Sequence, residues 1–415
     1  MANLLVTNIS ELLTLAPAMQ KEGRKVLEQD LGIQQNQALY IEKGRIVWMG
    51  PHKKIPKTLA KAKKLKEFSA KGMTVLPGLV ECHTHLIFAG SRAAEFEMRN
   101  QGVSYQEIAK AGGGILSTMK QTRAMSPAAM KTLSQKRVNA FVAQGVTTLE
   151  IKSGYALDEK NELKVLKVAK SLEGPRIVPT FLGAHAKPPE FDSYKAYLDF
   201  LKDKVLPQVK KQKLSQRVDI YVEDGFFNKN DSREFLKAAQ AMGFQILMHA
   251  DQLTLSGGAD LGVELGALSG DHLLQIGESQ IRKLAKSQVT CVLLPTADLY
   301  MRCKYPPARE LIDNGARVAL ATDFNPGTSP TQDVSLVGLL ARLEMKMTLP
   351  EVVAAYTVGA AFALDLQKEV GSLELGKSAD FMCIETDWRQ LFYSAGERSA
   401  TLVYQSGERI YENSY

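Results

Sequence analysis

Apolar and β-branched runs of strand length recur through the middle of the chain, at 75–80, 147–151, 176–182, 218–222, 245–248, 267–269, 289–294 and 317–321. Most are separated by helix-length stretches that mix apolar and polar positions, as at 159–172, 231–242 and 279–286. Eight strands alternating with helices predict a parallel sheet closed into an α/β barrel of the (β/α)8, TIM type. The span from 75 to 360 is somewhat longer than the roughly 250 residues typical of such barrels, and the surplus falls between the first two strands. An open doubly wound sheet is the alternative. It is weakened because no GxGxxG or GxxxxGK[ST] follows any of the runs. Gly112-Gly113-Gly114 precedes a helix-like segment but follows no strand, and reads as a flexible turn.

Both ends of the chain follow a different pattern. Residues 36–50 read as a hairpin turning through Lys43-Gly44, and 401–411 repeat the pattern around Ser406-Gly407. Between them, 371–384 form a turn feeding a short strand. The economical arrangement is a second, small β-sandwich-like domain built from both termini, 1–74 plus 361–415, flanking a barrel domain at 75–360. Thr348 and Glu351 have capping-box spacing with Pro350 in the first turn. They open an apolar helix, 352–364, that would close the barrel before the chain returns to β structure.

Composition changes this picture little. A 45% hydrophobic chain of 415 residues can bury a large core. The charge of +7 concentrates in 52–66 and 202–213, lysine-rich segments without interleaved aromatics. They read as solvated faces, so no nucleic-acid partner is expected. No apolar run reaches the length of a membrane span, so no membrane partner is expected either. The N-terminus lacks a basic region followed by an apolar stretch and a small-residue cleavage site. Cys82, Cys291, Cys303 and Cys383 are scattered without CxxC spacing. Together these favour reduced thiols in a cytoplasmic protein.

The histidines carry the chemistry. There are six, and five fall where predicted barrel strands end: His83 and His85 on the first, His185 on the third, His249 on the fifth, His272 on the sixth. Glu223 ends the fourth and Asp323 the eighth. Strand C-termini are where this architecture builds active sites. Side chains two apart on a strand share a face, so His83 and His85 converge. His83, His85, His249 and Asp323 form a natural metal shell, with room left for a water whose pKa the ion would lower from 15.7 to about 7. The fourth strand ends without a lysine that could be carbamylated to bridge a second ion, which argues for one metal per chain.

Those residues, in their surroundings, resemble the amidohydrolase superfamily. The features are Val75-Leu-Pro-Gly-Leu-Val-Glu-Cys-His-Thr-His85, the Ala-Thr-Asp323 strand end and the Gly376-Lys-Ser-Ala-Asp380 turn. More narrowly, the chain resembles the superfamily's ring-opening hydrolases of histidine degradation along almost its whole length. The specific parts are Phe88-Ala-Gly-Ser-Arg92, Gly112-Gly-Gly-Ile115, Glu150-Ile-Lys-Ser-Gly-Tyr155, Thr180-Phe-Leu-Gly-Ala-His185, His249-Ala-Asp-Gln252, Ser269-Gly-Asp-His272 and Asp323-Phe-Asn-Pro-Gly-Thr328.

The resemblance implies hydrolysis of 4-imidazolone-5-propanoate to N-formimino-glutamate. It implies His83, His85, His249 and Asp323 as ligands of zinc, with iron the alternative. Arg92, Tyr155, His185, Asn325, Gly327 and Thr328 match substrate-contacting positions. Position 252 matches a catalytic residue that is glutamate in some relatives; Gln252 cannot exchange a proton as a carboxylate does. His272 and Asp323 are then the better candidates to move protons. Arg92 suits the propanoate tail, although Glu95 and Glu97 are also within its reach. Two other readings stay open: a deaminase of a heterocyclic ring, and a non-catalytic barrel scaffold. The only partner expected is the small-molecule substrate, with a homodimer as the plausible assembly and the long segment after the first strand as a lid.

Overall fold

The structure, a computed structural model, describes residues 3–60, 65–103, 107 and 113–413. Gly112 of the glycine triplet, part of the suggested lid, and 61–64 of the first basic segment lie outside the described residues.

The barrel strands are Leu79–Glu81, Val146–Lys152, Arg176–Ala184, Arg217–Val222, Gln245–Ile246 with His249–Ala250, Ser269–His272, Thr290–Leu293 and Arg317–Leu320. Neighbours pair in parallel in that order. The eighth strand returns to the first at the rim, where Thr84 bridges Phe324 and the His85 amide donates to the Phe324 carbonyl at 2.9 Å. The period-two alternation of each strand divides its side chains. Leu149, Ile151, Val218, Ile220 and Val222 belong to the main apolar core. The residues between them, Glu150, Lys152 and Asp219, meet one another across the lumen.

The termini build a second sheet of eight strands, seven in one path and Leu65–Ser69 branching from it. Asn3–Leu13 lies against Ile33–Glu42, followed outward by Arg45–Pro51, and also pairs with Leu65–Ser69 and Thr74–Pro77. Phe381–Ile384 joins Thr74–Pro77 antiparallel, and the hairpin Leu402–Gln405 with Glu408–Glu412 completes the edge. Its core is apolar: Leu4, Val6, Ile9, Leu39, Ile41, Ile46 and Phe381 are buried together.

One predicted strand divides in two. The run expected at 75–80 is shared between the sheets, with Thr74–Pro77 in the terminal sheet and Leu79–Glu81 in the barrel. Gly78 makes the transfer, donating to the Asp380 carbonyl at 3.0 Å, and a Cβ there would collide with Thr147. The closing helix is present as Leu349–Ala354 and Ala360–Ala363 around a π-helical stretch, Ala355–Gly359. Glu351 caps it by accepting from the Thr348 amide at 2.7 Å.

Candidate active site

The residues expected at the barrel mouth meet there. Nε2 of His85 lies 3.3 Å from Nε2 of His249 and 3.4 Å from Asp323 Oδ1, and Nε2 of His83 lies 3.4 Å from the same oxygen. All four side chains are buried. The orientation of two imidazoles is fixed from behind. His83 donates through Nδ1 to Asp271 at 2.6 Å, and His249 donates through Nδ1 to Asp219 at 3.1 Å. With Nδ1 committed in this way, Nε2 is the nitrogen that each ring turns forward. Nε2 of His83 has no hydrogen-bond partner among the described residues.

Lone pairs converging at such distances repel unless something positive sits between them. Nitrogen and oxygen ligands about 2.0–2.1 Å from a tetrahedral ion stand about 3.3–3.4 Å from one another. The three contacts just given match that spacing, and the ring nitrogens of His83, His85 and His249 all lie within 4.8 Å of one another, so the donor set fits a single metal ion.

The groups of the site polarise one another strongly. Burial alone would lower His83, but Asp271 and Asp323 outweigh it and hold the imidazole at about 9. Burial lowers His85 to about 4 and His272 to about 3. Asp323 is held well below the usual carboxylate range, because His83 and His85 overcome the effect of its burial. His185, buried beside His85 and His249, is also kept neutral, and donates through Nδ1 to the Gly154 carbonyl at 3.1 Å. Gly154 has φ +105 and no room for a Cβ beneath His185.

A cavity of about 420 Å³ opens over these groups. His85, Arg92, Tyr155, His185, His249, Gln252, His272, Asp323, Asn325 and Thr328 all reach its wall. Gly327 lies behind Arg92: a Cβ at 327 would strike the guanidinium. Arg92 is also paired with Glu95, Nε to Oε2 at 2.7 Å, the structural pairing that the sequence offered beside a role at the cavity. Asn325 spends its side chain on its own loop, accepting from the Gly327 and Thr328 amides and donating to the Asp323 carbonyl and Thr328 Oγ1. Gln252 contacts Met301 Sδ at 3.8 Å. His272 and Asp323 both adopt left-handed backbone, φ 76 and φ 50, a strain of about 1–3 kcal/mol each that tends to collect at active sites.

Some working residues escaped the sequence reading. Asp219, Asp271 and Lys152 form a buried layer under the histidines. The Lys152 ammonium lies 2.8 Å from Asp219, 3.0 Å from Glu150 and 3.8 Å from Asp271. Glu81 accepts from the amides of His83 and Thr322, bracing the strands that carry the ligands. Asp298 is a buried carboxyl with an orphan Oδ2, raised to about 8 by burial and by Asp323. Glu223, expected among the strand-end groups, instead anchors the next loop by accepting from the Gln252, Leu253 and Thr254 amides. The signal for the layer was present as polar residues alternating with apolar ones inside strands.

Comparison with known proteins narrows the reading. Residues 74–410 match the model of the amidohydrolase family. The imidazolonepropionase of Bdellovibrio bacteriovorus is 64% identical over 408 residues, 98% of this chain and 96% of its own. The imidazolonepropionase of Geobacillus kaustophilus is 42% identical over 416 residues, 99% and 98% of the two chains. Among solved structures, a triazine hydrolase variant superposes with a TM-score of 0.76 at 16% identity, covering 99% of this chain and 95% of that one. A zinc-bound adenosine deaminase from Xanthomonas campestris gives 0.72 at 18%, with 98% and 92% coverage. These two likenesses are of fold alone.

Proposed function

Because the chain belongs to the amidohydrolase family and, within it, to the imidazolonepropionases, we infer that it hydrolyses the cyclic amide 4-imidazolone-5-propanoate to N-formimino-L-glutamate. The observation that carries the chemistry is the run of contacts from His249 to His85 at 3.3 Å and from His85 and His83 to Asp323 at 3.4 Å. These four would hold one metal ion, zinc or iron. When bound, it supplies an acidified water and polarisation of the ring carbonyl.

The chain's own groups account for the rest. Asp323 is a carboxylate at neutral pH, able to take the water's proton and return it to the leaving ring nitrogen. His272 is a neutral imidazole whose buried Nδ1 has no hydrogen-bond partner; an N–H there stabilises the carbonyl oxygen as negative charge develops on it. Arg92, its Nε held by Glu95, offers the outer edge of the guanidinium to the propanoate carboxylate. Tyr155 and His185 shape the ring's side of the pocket. Gln252 contributes hydrogen bonds rather than a proton. Asn325, through its amide network, fixes the turn that brings Gly327 and Thr328 beside the tail.

The rest of the reading concerns setting. No helix among the described residues is long and apolar enough to cross a membrane. A place in histidine degradation, a cytoplasmic location and a homodimer fit the family membership. The deciding assay mixes protein with freshly generated imidazolone propanoate and follows loss of its ultraviolet absorbance, with and without a chelator. Chelator-sensitive ring opening without ammonia release is expected. Ammonia release would favour a deaminase, and inactivity of metal-loaded protein would overturn the reading.

A further inference from the structure

The lumen under the candidate metal shell contains a buried cation that the reaction does not use. Lys152 ends the second barrel strand, and its side chain is closed off from solvent. Its ammonium reaches three carboxylates, each attached to a different part of the ligand set. Asp219, 2.8 Å away on the fourth strand, accepts from His249 Nδ1. Asp271, 3.8 Å away on the sixth, accepts from His83 Nδ1. Glu150, 3.0 Å away, accepts from the amide of Thr84, between His83 and His85, at 3.1 Å. The backbone closes the same circuit, since the Lys152 amide donates to the Thr84 carbonyl at 2.9 Å.

Carboxylates in a dry interior are costly unless a counter-charge accompanies them. Among the described residues, Lys152 is the one lysine or arginine paired with Asp219 or Asp271. Without it, each aspartate would lose the partner that holds it in place and could turn away from the imidazole in front of it, freeing that ring's orientation. The alternate strands of such barrels supply side chains to a common layer, which is how residues from strands two, four and six come together on one ammonium.

We propose that Lys152 is a positioning residue for the metal: one buried ammonium keeps Asp219 and Asp271 as the carboxylates that aim His249 and His83. This rests on the metal-site reading above. Loss of partners behind metal ligands typically lowers affinity by about 10–100-fold, and that range sets the test.

The test measures metal affinity by competition against a zinc chelator, in wild type, Lys152→Met, Asp219→Asn and the double variant, with circular dichroism to establish folding. Wild type is expected to bind one ion per chain; if it binds none, the metal-site reading falls on its own evidence. Lys152→Met should bind zinc at least tenfold more weakly. In the Asp219→Asn background the same substitution should cost clearly less, because one carboxylate that needs the ammonium is gone. A folded Lys152→Met with wild-type affinity, or an equal loss in both backgrounds, overturns the proposal. Should Lys152→Met fail to fold, the double variant decides. A loss of less than tenfold relative to Asp219→Asn supports the role, whereas a loss of tenfold or more, or failure to fold, refutes it.

Discussion

Both sheets of this protein bury an apolar face, but among the described residues only the barrel also encloses a cluster of charged groups beneath its histidines. The terminal sheet closes over Leu4, Val6, Ile9, Leu39, Ile41, Ile46 and Phe381, and its stability follows from apolar area removed from water. The upper barrel lumen buries Glu81, Glu150, Lys152, Asp219 and Asp271 beneath His83, His85, His249 and Asp323. Charges buried this way rarely add net stability. Among the described residues, the terminal sheet buries charge only singly, as at Asp380 beside Phe381–Ile384, so the cluster under the histidines marks where the fold gives up stability to hold reactive groups in place.

The comparison breaks if substitutions in the two regions have similar consequences. The largest effect is expected from His249→Ala. Loss of a metal's contribution removes several kcal/mol of transition-state stabilisation, so kcat/KM should fall on the order of a thousandfold or more. The bound metal should fall with it, while the melting temperature of metal-free protein stays close to wild type; elemental analysis and calorimetry read these separately. Arg92→Ala comes next. Hydrogen bonds to charged groups are worth about 1.5–3 kcal/mol, so KM should rise about ten- to a hundredfold with metal content unchanged, and unaltered kinetics would remove Arg92 from the tail site. Gln252→Glu should change kcat/KM by less than about tenfold, the worth of one ordinary hydrogen bond, while introducing a new acidic limb in the pH profile. If the substitution instead raises the rate greatly, a carboxylate at 252 is part of the best mechanism after all. Ile9→Ala should have the smallest kinetic effect, leaving kcat and KM at wild-type values, while a core deletion of that kind costs about 2–5 kcal/mol of stability by denaturant unfolding.

What the sequence revealed follows the same division. The eight strands were legible because each outer face must be apolar to meet the helices. The meeting of the histidines at the barrel mouth was legible because imidazoles are scarce, and five of six fell at strand ends. Lys152, Asp219 and Asp271 were not recognised, since a charged residue inside a strand reads as an exposed face unless its neighbours across the sheet are known. The double use of residues 74–81 was hidden for a related reason: Pro77-Gly78 interrupts no hydrophobicity, and only the partners of each half distinguish them. Glu223 was correctly placed at a strand end but is occupied with loop amides, a role that depends on the path of the following loop.

The Gly78 transfer point has a mechanical consequence. The strand leading to His83 and His85 has no slack, because the residues just before it are held between Asn3–Leu13 and Phe381–Ile384. Tension or loosening at either end of the polypeptide therefore reaches His83 through a few peptide bonds. Trimming the terminal hairpins should detune the reaction from a distance, although no atom of theirs touches the pocket.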